Sequence, residues 1–209
     1  MGTSGLTMVV SNNQTKVAQY GQWDHYPSGQ GATALGLLTK IVKDGELGKF
    51  KEKVDNLKWL TDEEIEAVNN GGDWDEKYPY LSRDWGAQIL EAVHYGTLTK
   101  EPGFMQPKKE VITFDILGLI DNSNFAADSL FCEWAYVIDL DKNTFEVYEG
   151  FNKETLAEGE RFASLPVDKE DGKYKPVKFV TSFDLNALPE LQQFLEICEP
   201  KIDDEENED

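Results

Sequence analysis

The chain lacks most of what a recognisable enzyme of its size carries. It has two histidines and two cysteines in 209 residues. Cys132 and Cys198 stand far apart with no CxxC and no histidine at ligand spacing. Zinc is therefore not expected, and the cysteines read as reduced, buried thiols. No GxSxG elbow is present, which removes the α/β-hydrolase nucleophile. No apolar run reaches the length of a membrane span. The opening MGTSGLTMVV has no basic start and no long apolar stretch, so no signal peptide is expected. Leu6 also stands where myristoylation wants Ser or Thr. Together these absences predict a cytoplasmic protein with no cofactor, no metal and no membrane attachment.

Basic residues are scarce as well. Forty acids face twenty bases, for a net charge of −20. The imbalance is uneven: residues 1–60 hold 5 acids and 7 bases, whereas 61–150 hold 19 and 6. Such a field disfavours direct nucleic-acid binding and favours a basic partner; solubility alone is the plainer use of it. The densest acidic group is Asp62, Glu63, Glu64 and Glu66 with Asp73, Asp75 and Glu76. Carboxylates at that density can imitate the phosphates of a duplex and fill a basic groove.

Hydrophobic residues make up 40% of the chain and aromatic ones 11%, enough for an ordinary core. Leu6–Val10 and Lys16–Trp23 flank a polar turn and read as a hairpin. Helical spacing follows over Ala32–Val42 and again over Leu47–Leu60. Thr61 with Glu64 forms a capping box for a short helix that ends at Asn69–Gly72. Ser82 is a candidate N-cap for a helix over Arg83–His94. Tyr95–Glu110 reads as loop and Val111–Ile120 as a buried strand. Trp134–Leu140 and Thr144–Phe151 form the clearest hairpin, followed by a strand at Val177–Asp184 and a helix at Pro189–Cys198. The order predicts an α+β domain over residues 1–202, with an antiparallel sheet from the N- and C-terminal hairpins and a central helical segment. Asp203–Asp209 reads as a disordered acidic tail.

The most informative stretch is Val17–Gly31, where a strand runs through VAQYGQWDHYPSGQG into a helix. Asp24, His25, Tyr26 and Ser28 offer an acid, a base, a phenol and a hydroxyl within five positions. A structural reading competes: Asp24 and Pro27 shape the turn, Gly29 and Gly31 allow close packing, and Trp23 and Tyr26 cover the core edge. With its opening Met-Gly-Thr, this segment resembles an uncharacterised family of phages and bacterial mobile elements, loosely echoed in fungal proteins. The matching positions are Tyr20, Gln22, Trp23, Asp24, Tyr26, Pro27, Gly29 and Gly31, and the hairpin Trp134–Asp139 with Val147-Tyr148 also looks familial. His25 departs from the small residue that family usually has there. The resemblance implies a phage or prophage setting and no established activity.

Two further chemistries fit poorly. Asp121-Asn122-Ser123-Asn124 alternates oxygen ligands, but Ala126 and Cys132 stand where a calcium loop wants Gly and Glu. An N-terminal nucleophile would need processing beyond Gly2 to expose Thr3 or Ser4. Two function classes remain. One is an acidic, non-enzymatic binding protein that blocks a basic host protein, such as a nucleic-acid-binding defence enzyme. Its contacts would be Trp23, Asp24, Tyr26 and the acids of 62–76. The other is a small-molecule hydrolase or ligand sensor built on Asp24, His25, Tyr26 and Ser28.

Overall fold

The computed structural model describes residues 2–71, 78–100, 108–116, 118–166 and 173–199. Strands β1 (Gly5–Ser11) and β2 (Gln14–Gly21) form the N-terminal hairpin. Its two-residue turn is Asn12-Asn13, both with φ near +56°, the mirror-image turn that matches strand twist and that Asn tolerates. Helices α1 (Ala32–Lys43), α2 (Leu47–Asp55) and α3 (Asp62–Gly71) follow. Next come α4 (Ile89–Tyr95), β3 (Thr97–Lys100) and β4 (Glu110–Thr113). Strands β5 (Trp134–Asp139), β6 (Thr144–Glu149) and β7 (Lys178–Asp184) precede α5 (Leu191–Cys198).

The main sheet runs β2-β1-β5-β6-β7, so the terminal strands share one sheet and the helices lie between them in sequence. This is the α+β fold expected. Three of its seams are antiparallel. The fourth, β1 with β5, is parallel, which the long helical connection between those strands permits. β1 is buried along its whole length between β2 and β5, and its GLTMVVS sequence suits a strand covered on both faces.

Each face has its own core. On one side Val9, Val17, Tyr136, Ile138, Phe145 and Val147 meet the apolar stripe Ala34, Leu35, Leu38 and Ile41 of α1, with Phe50, Val54 and Phe194 from α2 and α5. On the other, Leu6, Met8, Val10, Ala135, Val137 and Tyr148 are covered by irregular chain carrying Phe125, Ala126, Leu156, Phe162 and Leu165. No helix among the described residues is long and apolar enough to cross a membrane.

Four elements differ from the sequence expectation. Helix α2 stops at Asp55, where the Asn56 side-chain amide donates to the Glu52 carbonyl; Lys58–Leu60 then pair with Leu119. Gly86, with φ of +50°, delays the helix expected from Arg83, so α4 begins at Ile89. Thr97–Lys100, expected as loop, pairs with β4, because Gly96 at φ +67° ends α4 and turns the chain back. The strand expected over Val111–Ile120 shrinks to β4, where Val111 is exposed. The acidic tail lies outside the described residues.

Candidate functional site

Chain direction reverses at the end of β2, where the Gln22 N–H donates to the Arg83 carbonyl. Asp24 takes a left-handed φ of +56°, tolerable for its short side chain, and its carbonyl accepts from the Gln30 N–H at 2.7 Å. A Cβ at Gly29 would lie 2.2 Å from that same carbonyl oxygen. Pro27–Gly31 make one π-helical turn, and loop carbonyls receive the N–H groups that a capping side chain would otherwise meet.

His25 turns inward and is fully buried. Its ring fills a gap between Gly5 and Gly21, which face each other across β1 and β2. A Cβ at Gly5 would lie 2.4 Å from His25 Cδ2, and one at Gly21 2.1 Å from Cε1. The Tyr136 ring stacks against the imidazole, and its hydroxyl donates to the His25 carbonyl at 2.7 Å. The His25 N–H donates to the Thr3 carbonyl. Neither ring nitrogen has a well-formed hydrogen bond, and the Thr3 and Thr7 hydroxyls are buried without one too. Burial pushes the His25 pKa down to about 4, with the Trp23 carbonyl opposing only in part. At neutral pH the ring is an uncharged plug.

Its neighbours point outward. Trp23 and Tyr26 are each 48% exposed, and Asp24 and Ser28 are exposed beside them. The Trp23 indole N–H donates to Asp84 Oδ1 at 3.0 Å, an oxygen that also accepts from the Gln22 amide. One edge of the indole rests on Gly2, where a Cβ would lie 2.0 Å from the ring. The Ser28 N–H and hydroxyl both donate to Glu199 Oε1, just past α5. The four residues that could have formed a catalytic group therefore do not converge. His25 bonds neither Asp24 nor Ser28, and the Ser28 hydroxyl is committed to a carboxylate.

The capping box on α3 is present: the Glu64 N–H donates to Thr61 Oγ1, and the Thr61 N–H to Glu64 Oε2. Glu64 also pairs with Lys58, and these partners hold its carboxyl below the usual range. Asp62, Glu63 and Glu66 are exposed, and among the described residues none of the three has an ion pair. Asp73, Asp75 and Glu76 lie outside the described residues.

A second polar centre was missed from sequence. Asp139 of β5 and Glu146 of β6 share the face opposite the helices, and Arg161 bridges them. Its Nη2 donates to Asp139 Oδ2 at 2.6 Å and Glu146 Oε1 at 2.9 Å, while Nε donates to Glu146 Oε2 at 2.8 Å. The Tyr148 hydroxyl donates to the same Glu146 Oε2 at 2.7 Å. Burial alone would raise both carboxyls, but Arg161 outweighs it and holds both below their ordinary range. Beside them opens a cleft of about 360 Å³, lined by Met8, Val10, Phe162 and Leu165 and the polar Thr15 and Lys142. Both acids are ionised and committed to Arg161, so neither is poised as a proton donor. One signal for this centre was available: Arg161 is one of only two arginines in a lysine-rich chain, and arginine is the residue suited to buried bidentate pairing.

No group of three or more His, Cys, Asp or Glu among the described residues is arranged to hold a metal ion. The chain matches no protein-family model, no curated protein and no solved structure.

Proposed function

We propose that the chain is a non-enzymatic binding protein for a basic protein partner, anchored by the Trp23–Ser28 loop. The observation that carries this reading is the alternation along that loop. His25, Pro27 and Gly31 are buried and fix the backbone, while Trp23, Asp24, Tyr26 and Ser28 face solvent. A loop braced in this way presents aromatic rings and a carboxylate at little ordering cost on binding. Aromatic anchors dominate many interfaces, and ring faces attract Arg and Lys side chains. Asp24 and the ordered Asp84 carboxylate add charge complementarity, and the net charge of −20 steers a basic protein towards them.

Burial of the His25 ring supports this reading over a hydrolase or sensor at the same loop. The resemblance to a phage and mobile-element family makes a nucleic-acid-binding host defence enzyme the expected target, met in the host cytoplasm. The exposed acids of α3 would add to the acidic field that steers such a partner. The test is capture of host proteins on the tagged chain at low and high salt, followed by affinity measurement with the protein retained. A basic nucleic-acid enzyme should be held at low salt and released as salt rises. Trp23→Ala should weaken its binding about thirtyfold, as for an interface hot spot. Binding indifferent to salt and to Trp23→Ala would overturn the proposal.

A further inference from the structure

Five non-glycine residues among those described have left-handed backbone: Asn12, Asn13, Asp24, Asn143 and Phe151. Four are Asn or Asp, which accept that conformation through their short polar side chains. Phe151, at φ +52°, is bulky and is strained there. Burial gives the monomer only a partial return for that strain, since Phe151 is 52% exposed. A strained residue kept where the monomer covers only half of its side chain points to a role outside the monomer.

Phe151 is not alone. Its N–H donates to the Ser129 carbonyl and the Gly150 N–H to the Glu133 carbonyl. Its backbone thus runs against the segment that carries Leu130 and Phe131, 37% and 59% exposed. On its other side the Tyr174 ring makes an edge contact with it at 6.4 Å. Exposed apolar residues gathered in this way mark an interaction surface. Charge on the surface is divided. Lys153 and Lys173 lie over the Tyr174 ring, and the Lys175 N–H bonds the Asn152 carbonyl. Among the described residues none of these three lysines pairs with an acid. With the exposed Glu154 that follows Lys153 in the same turn, they leave this side of the face with a net positive charge in a strongly acidic chain. Asp128 and Glu133 flank the Leu130–Phe131 side.

We propose that this face is a two-fold self-interface. Phe131 and Phe151 form its apolar centre, and the lysines of one protomer meet the acids of its partner. A two-fold interface must be self-complementary, and an apolar centre between an acidic and a basic half meets that condition. The division of charge also lets two chains of net −20 approach there. Ser4, whose hydroxyl donates to the Phe131 carbonyl, follows Gly2 and Thr3, which meet Trp23 and His25, so the two surfaces adjoin. The dimer takes its apolar centre from Phe131 and Phe151 alone, and Trp23→Ala should leave it intact.

Sedimentation of the full chain from low-micromolar to near-millimolar concentration, at physiological salt, tests it. A reversible monomer–dimer equilibrium is expected. Phe131→Asp should abolish it, and Lys173→Glu should weaken it about tenfold. Phe151→Asn is the decisive variant, because Asn suits the left-handed backbone. It should raise the unfolding midpoint of the monomer while weakening the dimer at least about tenfold. A chain that stays monomeric throughout, or a dimer that tolerates both phenylalanine changes, would overturn the proposal.

Discussion

On the helix side of the sheet, His25 is enclosed without a well-formed side-chain hydrogen bond and carries no charge. On the other side, Arg161 is partly enclosed, with 17% of its side chain exposed, and keeps its charge because Asp139 and Glu146 receive it. The difference follows from what each group can shed. Imidazole loses its proton at modest cost, so burial simply lowers its pKa. Guanidinium cannot, so it enters the interior only where carboxylates already stand. One face thus uses a neutral ring as a wedge that shapes a loop. The other uses a charge network that ties the irregular 152–166 segment to the sheet.

Breaking the charged side should have the larger effect. Arg161→Ala leaves Asp139 and Glu146 close together with only the exposed Lys142 amine near them, and should cost about 3 kcal/mol in urea unfolding. That is the low end for a buried pair, since 17% of the Arg161 side chain faces water. Replacing all three by neutral residues of similar shape should recover much of the loss. A cost under about 0.5 kcal/mol for Arg161→Ala would show that the network does not hold that segment.

The neutral side should show itself through pH. The unfolded chain takes up a proton on His25 near its ordinary pKa of about 6.5, the folded chain only at about 4. Between those values the unfolded state holds more protons, so folding stability falls as pH falls, by about 3 kcal/mol across the window. Asp139 and Glu146, held below the ordinary carboxylate range, begin to lose their contribution at the lower edge of this window. That loss is completed at lower pH and is equal in the parent chain and in His25→Phe. Unfolding curves for the parent chain and His25→Phe should differ in slope between pH 6.5 and 4 and run parallel above it. Equal slopes would place the imidazole in contact with water.

The smallest effect sharpens the contrast within the charged cluster. The Lys142 amine lies 3.7 Å from Asp139 and 4.0 Å from Glu146, but its side chain is 67% exposed. Lys142→Ala should change stability by less than about 0.5 kcal/mol. A cost near that of Arg161→Ala would mean that burial does not separate the two cations.

The sheet was legible because its signals are local. Alternation in Trp134–Asp139 and Thr144–Glu149, Asn-rich turns and the Thr61–Glu64 capping box all act within a few residues. The loop at Val17–Gly31 was legible as a place but not as an arrangement. That Gly5 and Gly21 jointly make room for His25 depends on strand register, which periodicity alone does not reveal. The parallel seam between β1 and β5, and Arg161 reaching back to β5 and β6, are likewise long-range facts. Val111–Ile120 misled because its apolar run serves two neighbours, β3 and the Lys58–Leu60 segment, and not one sheet.

The central claim is that His25 braces the loop and leaves Trp23, Asp24 and Tyr26 to bind. The most direct test is an NMR titration of the His25 ring, assigned against a His94→Gln variant. The account predicts a ring that stays neutral down to about pH 4 and shows slow exchange with solvent. A ring titrating near pH 6.5 would be open to water and available as a base, and would contradict the account.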